Sequence, residues 1–435
     1  MSVLDLAPTM PAAPKRVDDV GVSSDLILRL VTKTLHFAGE LRGTELAMRL
    51  GVPFFVVEPA LERLKSDRHC EIVGTATVGA PSYSYRLTDA GNVRAALFLE
   101  DSHYVGALPV PLDQYQAYIA QFAARHTIDV TRDVVGVAFS HLVLNQRVLD
   151  QLGPAIAAWH SLFIYGPPGN GKTVIAQAIR NVLHGEIAVP YALSVEGQIV
   201  RLYDPVNHER VDDGPAESGL EDHDQFDHRW VRCRRPLVTV GGELSMSALE
   251  MGYHDGFGFY TAPLQAVANG GVLVIDDFGR QSTSPRDLLN RWIVPLESRV
   301  DHLRLRTGQK FQLPFEVFVV FATNIKPSEL VDEAFLRRIQ YKVLAQSPTA
   351  AEFARIFENY CAARQLPFST GLADHIITRE LRPRGIALRG CQPRDLIEHA
   401  LAIAKYLDLP RVLTPALVSE ACASYFVGDS DVASA

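Results

Sequence analysis

Three short apolar runs along the chain predict strands that are buried on both faces. They lie at residues 162–165, 270–277 and 315–322, and each ends at glycine, acidic or polar residues. Runs of this kind are typical of the central strands of a parallel sheet. Apolar residues at helical spacing follow the first two runs, at 174–179 and 284–299. Buried strands that alternate with helices predict an α/β fold.

A different pattern, of helices followed by β-like runs, covers residues 23–101. A first helix, capped by Ser24 or Asp25, is followed by helices at 44–50 and 54–66. Two β-like runs then predict a hairpin, and a further helix opens after it. The runs lie at 70–73 and 82–87, and the helix opens at Thr88-Asp89. This order resembles a winged helix-turn-helix domain, whose third helix enters the major groove in DNA-binding members.

The charge of this segment leaves its partner open. Nine basic and ten acidic residues lie between positions 21 and 109, and the third helix carries both signs. A dedicated DNA-binding domain is usually more basic, so DNA binding and a protein contact both stand as hypotheses. The whole chain of 435 residues has a formal net charge of −8, which argues against a broadly basic nucleic-acid coat.

The strongest candidate site directly follows the first apolar run. Residues 166–173 fit the pattern G-x-x-x-x-G-K-[ST], between a predicted strand and a predicted helix. Backbone N–H groups of such a loop surround phosphate oxygens, its lysine reaches the β- and γ-phosphates, and its hydroxyl binds Mg²⁺. A glycine-rich turn that matches by chance is the alternative. The residues assigned to the nucleotide are Gly166, Pro167, Pro168, Gly169, Asn170, Gly171, Lys172, Thr173 and Val174.

Polar side chains end the other two apolar runs. Asp276 and Asp277 would lie at the sheet edge that carries the phosphate loop, because the carboxyl ends of parallel strands share one edge. There Asp276, with Thr173, would hold Mg²⁺, and Asp277 would polarise the attacking water. Asn324, after the third run, would orient that water through a hydrogen bond. Two incidental exposed acids at the end of a core strand are the alternative.

A pair of arginines ends the next predicted helix. Arg337 and Arg338 follow the sequence Asp-Glu-Ala-Phe-Leu. Arginine at a domain edge suits donation of positive charge to the phosphate that a neighbouring subunit transfers. Surface salt bridges are the alternative use of such a pair.

The order of these motifs resembles that of the AAA+ ATPases. Walker A corresponds to 166–173, Walker B to 272–277, and sensor one to Asn324. The arginine finger corresponds to Arg337 or Arg338, and sensor two to 390–394 with Arg394. The motifs cover roughly residues 130–426. The double glycine before the second apolar run, and a predicted hairpin at 300–314, are similar to the clade of MoxR-like ATPases, minichromosome-maintenance helicases and enhancer-binding activators.

The resemblance implies a parallel-sheet core with a C-terminal helical lid. It implies ATP and Mg²⁺ as ligands, ATP hydrolysis, and a homo-oligomer, with a hexameric ring as one form, in which a neighbour completes each site. Arg394 would sense the γ-phosphate from the lid; an ion pair with Asp395 is the alternative. The implied function is remodelling of a protein partner in the MoxR-like manner. The alternative is an ATP-dependent, DNA-associated switch, regulator or loader that acts through the winged helix with slow hydrolysis.

Two positions depart from the AAA+ pattern. Walker B usually ends in Asp-Glu, whereas this chain has Asp276-Asp277. The shorter side chain of Asp277 puts the positioning of water, and therefore the turnover rate, in doubt. Arg280, just beyond, has three candidate partners: phosphate, Asp276 or a neighbouring subunit.

Composition and spacing predict the domain organisation. The expected segments are a disordered leader (1–22), a winged-helix-like domain (23–108), a linker (109–130), an AAA+ core (131–346) with an insertion near 193–262, a helical lid (347–428) and a tail (429–435). The insertion contains His223, Asp224, Asp227 and His228, for which a solvated loop is preferred over a metal cluster. Its aromatic-glycine stretch, 252–260, suits either a grip on a polymer or core packing.

The remaining composition excludes several classes of protein. The five cysteines are scattered and never form C-x-x-C, which predicts reduced core thiols in a cytoplasmic protein. No apolar run reaches the length of a transmembrane helix, so we expect no membrane insertion. The chain is 47% hydrophobic and 21% charged, which is ordinary for a globular protein.

Overall fold

A computed structural model describes residues 10–75, 80–125, 130–211, 225–330 and 336–426. Its α-helices are α1 (Ser24–Ala38), α2 (Gly43–Leu50), α3 (Phe54–Ser66), α4 (Asp89–Asp101), α5 (Leu112–Arg125), α6 (Arg132–Ala138), α7 (Gln146–Ala157), α8 (Lys172–Ala178), α9 (Leu264–Val267), α10 (Pro285–Ser298), α11 (Pro327–Leu330), α12 (Ala350–Ala363), α13 (Thr370–His375), α14 (Gln392–Tyr406) and α15 (Pro415–Tyr425).

The strands alternate with these helices. In chain order they are β1 (Glu40–Arg42), β2 (Cys70–Thr75), β3 (Tyr83–Leu87), β4 (Val110–Pro111), β5 (Leu162–Tyr165), β6 (Glu186–Pro190), β7 (Ala192–Val195), β8 (Gln198–Arg201), β9 (Trp230–Arg234), β10 (Leu237–Val240), β11 (Gly252–His254), β12 (Phe259–Thr261), β13 (Val272–Ile275), β14 (Val300–Arg304), β15 (Lys310–Pro314), β16 (Phe318–Thr323) and β17 (Tyr341–Leu344).

The chain forms two compact units that do not follow the predicted linear order of domains. The first combines Met1–Ile128, Leu183–Leu273 and Asp287–Phe318, and the second combines Asp129–Val182, Val274–Arg286 and Val319–Ala435. The first unit therefore joins the N-terminal segment to the long insertion. The physical reason is a shared core, because Ala192 and Ile199 are buried among the apolar residues of α1–α4.

The N-terminal helices form where the apolar spacing predicts them. Ser23 caps α1 by accepting a hydrogen bond from the Leu26 N–H, and Thr88 caps α4 in the same way. The predicted hairpin is present as β2 and β3, and β1 adds to it in the order β1-β3-β2. Strand β1 escapes sequence prediction because three residues are too few to show a period. The winged-helix assignment itself stays a prediction.

Two segments predicted to lack structure are ordered where they are described. Residues 109–130 were expected to form a linker, but they contain β4 and the 14-residue helix α5, which buries Tyr115, Ile119 and Phe122. The leader was expected to be disordered, but Val17–Val20 forms a 3₁₀ turn with Val20 fully buried. The proline-rich composition of the leader did not indicate this turn, because the turn is ordered by tertiary contacts.

A buried ion pair in the first unit holds these segments. Arg229 and Asp227 form a salt bridge of 2.7 Å with side chains 2% and 4% exposed. The Arg229 guanidinium also donates to the carbonyl oxygens of Val20 and Pro109 and to the Gln114 side chain. The Asp227 carboxylate is therefore the partner of Arg229 in a buried ion pair. His223 and Asp224, which would complete the less favoured metal cluster, lie outside the described residues.

The described part of the insertion contains several strands. Strands β11, β12, β8 and β7 form one sheet with β4, in the order β11-β12-β8-β7-β4. Strand β9 pairs antiparallel with β6, and β10 joins the sheet of β13. The aromatic-glycine stretch makes the hairpin β11–β12, in which Tyr260 is buried and Phe257, at the tip, is 55% exposed. Core packing and an exposed aromatic therefore occur together in this stretch.

The predicted buried strands lie in a single sheet, which confirms the α/β fold. Its order is β10-β13-β16-β5-β17, and β16 and β17 both pair parallel with β5. All four residues of β13 and all six of β16 are buried. The predicted hairpin at 300–314 is also present, as the antiparallel pair β14–β15.

The C-terminal helices pack around their own apolar core. Helices α12 to α15 bury residues such as Phe353, Phe357 and Leu396. A π-helical turn, Ile376–Leu381, follows α13. Four of the five cysteines are buried thiols, and Cys391 is half-buried. In the described residues, none of the helices combines the length and the apolar character that a membrane span needs.

We expect Arg229→Ala to lower the free energy of unfolding by about 3–5 kcal/mol, because it leaves the Asp227 carboxylate buried without its partner. Urea unfolding followed by tryptophan fluorescence measures this loss. Arg86→Ala is the control, because its salt bridge with Glu71 is half exposed. An exposed pair contributes little, so this variant should unfold near the wild-type midpoint. Equal losses in the two variants would contradict the structural role of Arg229.

Candidate functional site

The phosphate loop connects β5 to α8 and takes backbone angles that favour glycine. Gly166, Gly169 and Gly171 have φ angles of 146°, 79° and 72°. A side chain at Gly166 would also meet the Ala345 carbonyl oxygen, since a Cβ atom there would lie 2.5 Å from it. The glycine spacing is therefore required by the fold of the loop, and the predicted strand, loop and helix are all present.

Lys172 is a buried cation at the centre of the loop. Its Nζ atom donates to the carbonyl oxygens of Gly166 and Pro167 at 3.1 and 3.0 Å and to Asn324 Oδ1 at 2.5 Å. Burial lowers the pKa of the Lys172 ammonium, the carboxylates of Asp276 and Asp277 act to raise it, and two nearby arginines act to lower it. Those arginines are Arg389 and Arg280.

Thr173 and Asp276 meet beside this ammonium. The Thr173 hydroxyl donates to Asp276 Oδ2 at 2.6 Å, and Asp276 Oδ1 accepts the N–H of Asp277 at 3.0 Å. Mg²⁺ prefers oxygen ligands and is commonly bound by one or two carboxylates together with substrate phosphates. The pair fits that chemistry, so Thr173 and Asp276 are the residues that would hold the ion.

Asn324 connects the lysine to the second carboxylate. Its Oδ1 accepts from Lys172, and its Nδ2 donates to Asp277 Oδ1 at 3.1 Å. Asp277 is exposed and has a φ of +47°, a region where Asp and Asn are far more common than other side chains. The backbone thus favours the shorter acid at this position, which gives a physical reason for its departure from Asp-Glu.

Gln281 belongs to the site but is not apparent from sequence. Its side-chain amide donates to the carbonyl oxygens of Asp276 and Asp277, and its Oε1 accepts the Gly279 N–H. Gln281 therefore fixes the turn that carries both carboxylates. The sequence gives no motif for this role, because a lone glutamine on a loop has no characteristic spacing. Its only sequence signal is its position five residues after Asp276.

The arginine pair lies on a turn just before β17. Arg337 and Arg338 are both exposed. The Lys342 side chain donates to the carbonyl oxygens of Leu336 and Ile339 at 2.9 and 2.8 Å, so it braces the turn from within β17. Burial lowers the pKa of Lys342. Part of the predicted helix before the pair, residues 331–335, lies outside the described residues.

The lid arginine predicted from sequence has another partner. Arg394 lies near the start of α14, as expected, but its guanidinium binds Asp395 at 2.8 Å. The Arg394 side chain is 62% exposed. This contact is the alternative that the sequence left open. The segment just before α14 does reach the phosphate loop: the Gly390 and Cys391 N–H groups donate to Asn170 and Gly169, and Arg389, which no motif included, lies beside them.

The assembled side chains suit a polyanionic ligand. Arg280 and Arg389 add positive charge near the Lys172 ammonium, and Asp276 and Asp277 add negative charge. The oxygen pair of Thr173 and Asp276 supplies a place for a hard cation, and Asp277 supplies an exposed carboxylate held by an amide. The arrangement has the parts that phosphoryl transfer to water needs.

Comparisons with known proteins agree with this chemistry. Residues 139–194, which include β5 and the phosphate loop, match the family described as magnesium chelatase, subunit ChlI. Residues 349–424 match a domain of unknown function, DUF8689. The uncharacterized protein YifB of Salmonella typhimurium is 27% identical over 232 residues, 53% of this chain and 36% of that protein. Competence protein ComM of Haemophilus influenzae is 26% identical over 222 residues, 51% of this chain and 36% of that protein.

The chain thus spans little more than a third of the length of either relative. Among solved structures, the Holliday junction branch migration motor RuvB of Thermotoga maritima is 14% identical with a TM-score of 0.37, over 65% of this chain and 69% of that chain. NtrX from Brucella abortus in complex with ATP is 12% identical with a TM-score of 0.42, over 66% and 57%. The geometry of the phosphate loop, the magnesium-chelatase match across it and the two curated relatives support membership of the AAA+ ATPase superfamily.

Proposed function

We propose that this protein binds ATP with Mg²⁺ in the phosphate loop, hydrolyses it, and uses the hydrolysis in a homo-oligomer to remodel a protein partner. One observation carries the proposal. Five residues from three separate parts of the chain meet there: the side chains of Lys172, Asn324 and Asp277 are hydrogen-bonded in series, Thr173 donates to Asp276, and the Asp277 backbone N–H donates to Asp276 and joins the two sets.

Each residue of the set has a distinct role in this proposal. Lys172 binds the β- and γ-phosphates, and the Thr173 hydroxyl and Asp276 hold Mg²⁺. The ion, when bound, neutralises charge on the phosphate oxygens. Asp277 accepts a proton from the attacking water, and Asn324 fixes the carboxylate for that task through its 3.1 Å hydrogen bond.

The oligomer enters the proposal through the arginine pair. Arg337 and Arg338 are exposed on a turn braced by Lys342. Exposed guanidinium groups on a braced turn suit donation of charge to a neighbour's phosphate. A cytoplasmic location belongs to the same proposal.

Charge pairing in the N-terminal segment favours a protein partner. Arg29, Lys65, Arg86 and Arg94 each form a salt bridge with a carboxylate of the same segment. Paired basic residues release fewer counterions when a phosphate backbone binds, so they contribute little to DNA affinity. The MoxR-like form of remodelling stays a prediction.

A DNA-associated switch is the second candidate. Helices α1–α3 with the sheet β1-β3-β2 have the element order of a winged helix-turn-helix domain, and one relative is named a competence protein. In this version nucleotide state would control DNA binding, and hydrolysis would be slow.

Asp277→Asn should lower the rate of ATP hydrolysis by about 100-fold or more, because a carboxamide does not accept the proton of the attacking water. Steady-state phosphate release measures the rate, and titration with a fluorescent ATP analogue should show nearly unchanged affinity. Lys172→Ala is the contrasting variant, and it should weaken ATP binding itself by about 10- to 100-fold. Wild-type turnover in Asp277→Asn would contradict the role given to this carboxylate.

Duplex DNA should leave the steady-state ATPase rate of the full chain unchanged if the partner is a protein. The measurement compares hydrolysis with and without duplex DNA at low salt, together with DNA affinity by fluorescence anisotropy over a salt series. Stimulated hydrolysis, with an affinity that falls steeply as salt rises, would reject the protein partner in favour of the DNA-associated switch.

Mixing two inactive variants should restore part of the ATPase activity if the arginine pair acts on a neighbouring subunit. Lys172→Ala keeps the arginines but loses its own site, and the Arg337→Ala/Arg338→Ala double variant keeps an intact phosphate loop. Mixed oligomers, verified by mass in solution with ATP, should contain interfaces with both functional parts. Absence of rescue in verified mixed oligomers would count against this mechanism, as would a strict monomer.

A further inference from the structure

The turn that follows β13 is anchored to β16 at Phe278. The Phe278 N–H donates to the Ala322 carbonyl oxygen at 2.8 Å, and the Thr323 hydroxyl donates to the Phe278 carbonyl oxygen at 2.7 Å. The Phe278 side chain is buried, at 1% exposure. The chain is therefore fixed directly after Asp277, while Asp277 itself is exposed.

Asp277 has a left-handed backbone conformation, with a φ of +47°. L-residues adopt this conformation rarely, and it persists where surrounding contacts determine it. The Asp277 carboxylate accepts a hydrogen bond from Asn324 Nδ2 at 3.1 Å. Because the side chain leaves from the same Cα atom, a change in the backbone angles of Asp277 would redirect the carboxylate away from Asn324. The backbone conformation thus sets the place of this carboxylate.

Gln281 binds both peptide groups that flank the Asp277 Cα atom. Its Nε2 donates to the carbonyl oxygens of Asp276 and Asp277 at 3.0 and 3.3 Å, and its Oε1 accepts the Gly279 N–H at 2.8 Å. Each peptide group is planar, so holding both of them restrains the two backbone angles of the residue between them. The amide supplies donors and an acceptor at once, which neither a carboxylate nor a thioether of similar size does.

We propose that Gln281 is a positioning residue for ATP hydrolysis: it holds Asp277 in the left-handed conformation and so keeps the carboxylate where Asn324 binds it. The inference rests on the proposed function, since it concerns the carboxylate assigned to the attacking water. The three hydrogen bonds of Gln281 to this turn include no atom of the phosphate loop. Gln281 therefore sets the rate of hydrolysis through Asp277, and not the affinity for the nucleotide.

A double-variant cycle in the full chain tests this role. Gln281→Met removes the donors and the acceptor at nearly constant side-chain size and should lower kcat by about 10- to 100-fold, because a misplaced reactive group costs rates of this order. The KM for ATP and the affinity for ATPγS should change by less than about threefold. In the Asp277→Asn background, Gln281→Met should change the residual rate by less than about threefold, because its effect depends on that carboxylate.

Hydrogen exchange of the nucleotide-free chain gives a readout that does not depend on hydrolysis. Gln281→Met should speed amide exchange in the peptide that spans 276–281, since the Gly279 N–H loses its acceptor. Gln281→Glu keeps that acceptor but has no donor for the two carbonyl oxygens, so it should reproduce the loss of kcat, and it replaces Gln281→Met in the cycle if that variant does not fold. Gln116→Met is the control, because it removes a glutamine bond of 2.8 Å to the Gln312 carbonyl oxygen and should keep the wild-type kcat and the wild-type exchange of 276–281.

The outcomes separate this inference from the proposed function. Wild-type kcat in both Gln281 variants overturns the inference, and so do losses that multiply in the Gln281→Met/Asp277→Asn double variant. If Asp277→Asn alone is slow in that case, the proposed function stands and only the inference fails. Absence of ATP hydrolysis by the wild-type chain, or wild-type turnover in Asp277→Asn, would overturn the proposed function and this inference together.

Discussion

The buried ammonium of Lys172 is the constraint on which the site depends. A cation that is 7% exposed must be compensated, and here two carbonyl oxygens of its own loop and the Asn324 amide supply the acceptors. The loop carbonyls can point at Lys172 only because the glycines of the loop take left-handed or extended angles. The amide arrives because β16 pairs parallel with β5, which aligns Thr323 with Tyr165 at the same edge. The shape of the loop, the register of the strands and the position of the amide therefore act together to compensate the charge of Lys172.

The same amide links the loop lysine to the carboxylate of Asp277. Asn324 accepts from Lys172 on one side and donates to Asp277 on the other, so a single side chain connects the ammonium to the carboxylate. Asp277 has a backbone conformation that suits a short polar side chain. The Gln281 side chain donates to the Asp276 carbonyl oxygen in the same turn. The backbone conformation of Asp277 therefore gives a reason for the departure from Asp-Glu at this position.

The lid gains its contact with the loop through backbone as much as through charge. The Cys391 N–H donates to the Gly169 carbonyl oxygen and the Gly390 N–H to the Asn170 side chain, so the segment before α14 is bound to the phosphate loop. Arg394 lies further along, on helix α14, where Asp395 binds its guanidinium.

The sequence by itself determined the local parts of this protein. It predicted the strand, loop and helix around Lys172, the carboxylates after β13, the amide after β16 and most helices of the lid, because each depends on nearby residues and on the period of apolar positions. Only the tertiary structure showed the features that depend on contacts between residues distant in the sequence. The insertion shares a core with the N-terminal helices, the predicted linker is a helix, and the leader packs beside the buried pair of Arg229 and Asp227. Arg389 and Gln281 likewise join the site through partners that sequence spacing does not reveal, since a hydrogen bond between distant segments leaves no period in the chain.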